Sequence, residues 1–189
     1  MAIIKTGTVK IFTTKNGIKA TIRYPEMSDL ANMTSYINKI SREDTFITFS
    51  GEQLSLNEEK KFLAKTLKQI KTRDKVFLCC FIQDELAGIS SVERNLENRI
   101  RARHLGKFGL SVAHKYRGAG IGYILSKTTI EESTRKITGL RIIELEVYDI
   151  NKIAKSLYKK LGFIEVGTMP EAIYYRGDYI GDTIMYLKL

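Results

Sequence analysis

Three glycines at alternate positions, Gly118, Gly120 and Gly122, follow two cationic residues, Lys115 and Arg117, within one short turn. Small residues let a backbone approach a ligand closely, so that several N–H groups can converge on one anion. The residues from Leu105 to Val112 read as a buried strand, and those from Ile121 onward read as a helix. A helix start adds the positive end of its dipole and its orphan N–H groups. This combination suits a pyrophosphate. It matches neither familiar nucleotide loop: Gly122 is followed by Tyr123 and Ile124 where a Walker loop needs Lys and Ser/Thr, and the glycines fall as G-x-G-x-G, not G-x-G-x-x-G. A tight strand-to-helix connection would also explain the glycines, so the turn alone leaves both readings open.

The rest of the chain must supply the elements that hold this turn. Val9–Thr13 and Ile18–Arg23 flank Asn16-Gly17, the preferred central pair of a type I′ turn, and predict a hairpin. Pro25 stops its second strand. Ser28 or Asp29 can cap a helix to about Ile40, with Leu30, Met33, Ile37 and Ile40 on one face. A second helix opens at Leu56 and buries Phe62, Leu63, Leu67 and Ile70. Between the two, Phe46, Ile47 and Phe49 fit either a short strand or a loop over a site. Val76–Ile82, Leu86–Glu93 and His104–Val112 predict an antiparallel meander. The helix after the glycine turn reaches about Ile137, with Gly139 at its C-terminal cap. Arg141–Tyr148 is a strand, Asn151 caps a helix to Leu161, and Phe163–Val166 and Thr183–Leu187 are the last strands. Met169–Asp182 reads as a polar return, and its Arg176-Gly177-Asp178 as a turn. A single helix between the third meander strand and Arg141–Tyr148 predicts a parallel pair joined by a right-handed crossover. The fold class is therefore α/β (α+β), a mixed sheet with helices on both faces.

Composition sets the outer limits. At 189 residues, 43% hydrophobic and 28% charged, the chain fits one globular domain over residues 1–189, with 1–17 as an N-terminal hairpin arm. No apolar run approaches the roughly 20 residues of a membrane span, and Met1–Thr6 shows no signal-peptide pattern. The expected setting is cytoplasmic, without a membrane partner. The net charge of +10 comes from 31 Lys and Arg against 21 Asp and Glu. These cations are dispersed and lack the aromatic-basic motifs of nucleic-acid readers, so no specific nucleic acid is expected. The densest group, Arg94, Arg99, Arg101, Arg103, His104 and Lys107, either draws in a phosphorylated cofactor or forms a solvated loop. Cys79 and Cys80 are adjacent, so on a strand they face opposite ways and read as core residues, with no disulfide between them. No metal constellation or nucleophilic triad stands out.

Two stretches resemble the signatures of the GNAT superfamily of N-acetyltransferases. The first, R/Q-x-x-G-x-G/A, is read on Lys115, Gly118 and Gly120, with Lys in place of the usual Gln or Arg. The second, N-x-x-A-x-x-L-Y-x-x-x-G-F, is read on Asn151, Ala154, Leu157, Tyr158, Gly162 and Phe163, after the triplet Leu145-Glu146-Val147. The resemblance spans roughly residues 18–189 and is nearest in motif to the ribosomal-protein N-terminal acetyltransferases. It implies a mostly antiparallel sheet of about seven strands with a splayed parallel pair. It further implies acetyl-CoA as cofactor, with CoA as product.

On this resemblance, backbone groups of Leu110 and Val112 would pair with the pantetheine arm. N–H groups of Arg117, Gly118, Ala119, Gly120, Ile121 and Gly122 would hold the pyrophosphate, with the charges of Lys115 and Arg117 assisting. Asn151 would touch the pantetheine arm, cap its helix, or do both. Tyr158 would protonate the departing thiolate, although its place on an apolar helix face also suits plain core. Direct transfer needs a neutral amine, so a base or a water chain must remove a proton. Glu144 and Glu146 share one face of their strand by alternation. Glu146 is the first choice of base, with Glu93, a water chain and His114 as rivals. The acceptor would be a primary amine: a protein N-terminus, a lysine, a polyamine or a small molecule. A non-catalytic CoA-binding sensor and a transferase for another acyl-CoA remain as alternatives. The oligomeric state would be monomer or homodimer.

Overall fold

The first two strands, β1 (Thr8–Thr13) and β2 (Lys19–Arg23), form the expected hairpin but not by the expected turn. In the computed structural model, which describes residues 7–43, 45–46, 49–96 and 100–189, Gly17 has φ +77° while Asn16 does not have positive φ. Gly17 donates to the Thr14 carbonyl at 3.0 Å and Thr14 donates to the Ile18 carbonyl at 2.9 Å. That is a three-residue loop, a tight turn followed by a left-handed glycine, rather than a type I′ turn centred on Asn16-Gly17. The difference puts Lys15 at the tip.

Next come α1 (Leu30–Arg42) and α2 (Leu56–Lys71). Asp29 does not cap α1 with its side chain; it forms a buried ion pair with Arg23 at 2.6 Å, beside the Phe81 ring. α2 begins with a reciprocal capping box. Ser55 Oγ accepts from the Glu58 N–H at 3.3 Å, and Glu58 accepts from the Ser55 N–H at 2.8 Å. Ser55→Ala should therefore cost about 1 kcal/mol of stability, read as a lower denaturant midpoint at unchanged slope. An unmoved midpoint would show that the box contributes nothing.

The meander follows as β3 (Lys75–Ile82), β4 (Glu85–Arg94) and β5 (Leu105–Val112). After the glycine turn come α3 (Ile121–Lys136), β6 (Ile142–Tyr148) and α4 (Lys152–Lys160). The chain closes with β7 (Ile164–Tyr175) and β8 (Asp178–Lys188). Met169–Asp182 is thus not an irregular return. It is the far half of a long hairpin whose two-residue turn, Arg176 (φ +51°) and Gly177 (φ +89°), has the type I′ signs. Pro170 and Glu171 (φ +55°) interrupt the β7–β8 ladder between Met169 and Ile173.

Among the described residues eight strands form one sheet in the order β1-β2-β3-β4-β5-β6-β8-β7. Every pairing is antiparallel except β5–β6. Helices cover both faces. Ile121 and Leu125 of α3 and Tyr158 of α4 join one core with Cys80, Phe108 and Ile143. Met33 and Ile40 of α1 and Leu63 of α2 join the other with Phe77, Cys79 and Phe81. Cys79 and Cys80 are both free and buried, one in each core, as their alternation requires. Among the described residues no helix is long and apolar enough to cross a membrane.

Candidate active site

The parallel pair is joined at one end only. Leu105, Gly106 and Lys107 pair with Ile142, Ile143 and Glu144, and no pairing continues beyond. From Phe108 to Val112, β5 stays bonded to β4 while β6 stays bonded to β8, so the two strands splay apart. The Ala113 N–H points to β4, where it bonds to Ala87 at 3.0 Å. Backbone groups alternate in direction along a strand. Those of Leu110 and Val112 therefore point into the gap.

The gap opens onto the glycine turn. His114–Tyr116 make one short 3-10 turn, and Gly118 (φ +77°) and Gly120 (φ +84°) then bring the chain into α3 in a left-handed conformation. The first N–H of α3 to bond back is that of Ile124, to Gly120 at 3.3 Å. Helix geometry leaves the N–H groups of Ile121, Gly122 and Tyr123 without intrahelical partners. No acidic side chain occupies the first turn of α3. Gly122 lies beside Leu110 and Val112, where an added Cβ would meet their side chains at 3.8 Å. Turn, strand edge and helix start thus surround one space.

The cations of the turn are already engaged. Lys115 pairs with Glu85, which holds its ammonium above the usual lysine range, and it also lies over the Tyr116 ring. Arg117 binds Glu43 at 2.5 Å, and its Nε donates to the Val112 carbonyl at 2.9 Å. Glu43 also accepts the His114 N–H at 3.2 Å. The carbonyl of Val112 is therefore occupied, and both cations of the turn are paired with carboxylates. The arginine-rich group lies elsewhere. Arg94, Arg103 and His104 line a cavity with Arg73 at the start of β5, about 25 Å along the strand from the turn at 3.3 Å per residue. Arg94 is a strut there, bonded to Asp74 and to the carbonyls of Arg103 and Thr138. Arg99 and Ile47 lie outside the described residues.

Asn151 caps α4, its Oδ1 accepting the Ala154 N–H at 3.1 Å, which leaves its amide N–H₂ to donate elsewhere. Tyr158 is 7% exposed and packs against Phe108 and Phe163, each ring centroid 5.9 Å away. Burial pushes its phenol up to about 12. Its hydroxyl has no recorded hydrogen-bond partner among the described residues.

Glu146 lies on the opposite face of the sheet. It pairs with Lys107 at 2.8 Å, and Lys107 alternates with Phe108, the neighbour of Tyr158. Both members of that pair are more than half exposed. Beside it, Asp182 sits above the usual aspartate range because of burial and the nearby Glu146 and Asp149, with Lys107 opposing. One oxygen each of Asp149 and Asp182 is buried and has no hydrogen-bond partner among the described residues. Phe46, Tyr148 and Tyr175 stack at centroid distances of 5.3 to 6.0 Å on this side. A cavity of about 200 Å³ under α1, lined by Ile37, Ile40, Phe49, Ile89, Ser91 and Leu110 among others, extends the same face. Glu93 is poorly suited as a base. Burial raises its carboxyl, but Lys75 at 2.8 Å and Gln69 at 2.6 Å outweigh that and hold it below the usual range. Among the described residues no group of His, Cys, Asp or Glu could hold a metal.

A splayed parallel pair over a Gly-rich helix start, within a mixed sheet covered on both faces, defines an acetyltransferase-type fold. The family model for the acetyltransferase (GNAT) family matches residues 36–163, and the chain belongs to that family. It is 30% identical over 122 residues to an uncharacterized N-acetyltransferase of Methanocaldococcus jannaschii, which covers 64% of this chain. The chain spans about half (53%) of that relative's length. A GNAT-family acetyltransferase from Streptococcus pneumoniae superimposes with a TM-score of 0.81 at 27% identity, over 90% of this chain and 99% of that one. RimL, a ribosomal L7/L12 alpha-N-protein acetyltransferase solved with coenzyme A, superimposes with a TM-score of 0.78 at 16% identity, over 96% and 98%.

Proposed function

We propose that the chain is an acetyl-CoA-dependent N-acetyltransferase that transfers the acetyl group directly to a primary amine. The observation that carries this reading is the β5–β6 splay opening onto the orphan N–H groups of α3. An amide-bearing arm can bond to the unpaired edge of β5 like an extra strand, while its pyrophosphate meets the turn. A structural neighbour solved with coenzyme A supports the cofactor. The thioester would sit in the gap, with Tyr158 on one face of the sheet and the acceptor arriving on the other. The amine nitrogen attacks the thioester carbonyl, the C–S bond breaks, and Tyr158 donates a hydrogen bond to the departing sulfur. Glu146, Asp182 and Asp149 give the acceptor face a negative character that favours an ammonium-bearing acceptor. The amine proton leaves to Glu146 directly or through water.

The test is thiol release from acetyl-CoA with a panel of protein N-termini, lysine peptides, polyamines and small amines. Amine-dependent release is expected. CoA binding without turnover on any amine would favour a sensor, and faster turnover of another acyl-CoA would reassign the acyl group. Glu146→Gln should lower kcat/KM by about 10-fold, below the usual 10²–10⁴ for a positioned base, because solvent reaches this exposed carboxylate. An unchanged pH–rate profile in that variant would assign proton removal to water alone.

A further inference from the structure

Resting on the cofactor reading above, we propose that Lys15, at the tip of the β1–β2 hairpin, is a ligand of the cofactor pyrophosphate and supplies the charge that Lys115 and Arg117 cannot. The hairpin tip is bound to the glycine turn. The Lys15 N–H donates to the Ala119 carbonyl at 3.0 Å. The side chain then runs along Gly120: a Cβ built there would lie 3.4 Å from Lys15 Cγ, 3.7 Å from Cδ and 3.6 Å from Cε. The ammonium is one bond beyond Cε, and Gly120 is the residue at the N-terminal cap of α3.

The tip is itself held firmly. Thr14 is buried, its N–H donates to the Ile18 carbonyl at 2.9 Å, and its Oγ1 accepts the Ile18 N–H at 3.1 Å. Lys15 is therefore delivered by backbone geometry, not by a flexible arm. Its ammonium has no recorded carboxylate partner among the described residues, whereas Lys115 is paired with Glu85 and Arg117 with Glu43. A cation beside converging N–H groups, without a counter-charge of its own, is matched to an anion. Lys15 also lies outside the span matched by the family model, so neither signature points to it.

The experiment is calorimetric titration of CoA and of dephospho-CoA, which keeps the pyrophosphate and lacks the ribose phosphate. Lys15→Met keeps most of the stem packing and removes the charge. It should weaken both ligands by about 5- to 10-fold, the range for one exposed charge-assisted contact, and flatten the dependence of affinity on salt. Lys15→Arg should retain wild-type affinity, and thermal melts should show all variants folded. Unchanged CoA affinity in Lys15→Met would reduce Lys15 to packing and overturn the proposal. Loss confined to CoA, with dephospho-CoA unaffected, would overturn the assignment to the pyrophosphate. Failure of the wild-type protein to bind CoA at all would instead sink the cofactor reading.

Discussion

Tyr158→Phe is expected to lower kcat by about 10²–10³-fold while KM for acetyl-CoA and thermal stability stay near wild type. The ring packs between Phe108 and Phe163, and phenylalanine preserves those contacts. No recorded hydrogen bond is lost with the hydroxyl, so the fold has little to lose. The pH dependence follows from the raised phenol. With its pKa pushed up to about 12, Tyr158 stays protonated through pH 10, and the alkaline side of the wild-type profile does not report its ionisation. An ordinary thiol titrates near about 8.5, so full proton transfer from such a phenol to the thiolate runs uphill by roughly 5 kcal/mol. In the proposed reaction the hydroxyl would therefore act mainly by donating a hydrogen bond as charge gathers on sulfur. Steady-state and single-turnover rates from pH 6 to 10 on an accepted amine measure this. Normal turnover by the phenylalanine variant would return Tyr158 to the core.

Gly120→Glu is expected to remove measurable CoA binding, a loss of more than about 100-fold. Two effects combine. At φ +84° any side chain is strained, by about 1–2 kcal/mol, while its Cβ would only touch the Lys15 stem, at 3.4 Å. The added carboxylate would also face the phosphates inside an array of N–H donors. Gly120→Ala separates these effects, because it keeps the strain without the charge and should lose far less affinity. Circular dichroism establishes that both variants fold, and calorimetry reads the binding. Unchanged affinity in a folded Glu variant would mean that the turn does not hold the phosphates.

The parts of the site legible in the sequence are those encoded by neighbours in the chain. The closely spaced glycines announce a tight turn between strand and helix, and Asn151 announces a helix start; both are local requirements, and each is met. The parallel crossover was legible for the same reason, since one helix separates two strongly patterned strands. What escaped depends on distance. Glu85 and Glu43 neutralise Lys115 and Arg117 across 30 and 74 positions of sequence, a separation no local pattern carries. Lys15 reaches the turn only through the packing of a hairpin more than a hundred residues upstream. The arginine cluster, open to two readings in the sequence, precedes the turn along the chain while an entire extended strand separates the two in space. The far half of the β7–β8 hairpin, read as a polar return, was missed because its edge strand is exposed along most of its length, which erases the alternation that marks a half-buried strand.

That edge strand has one neighbour, β8, and its other side is the margin of the sheet. A bare margin is a template on which further chains can lay themselves down, and a fibre grows when each added layer offers the next an unbroken row of donors and acceptors. Here the row is cut. Pro170 has no N–H to give, Glu171 turns the backbone left-handed, and the ladder resumes only at Ile173. The margin therefore offers two short runs out of line with one another. A stack of identical copies therefore finds no continuous surface on which to grow.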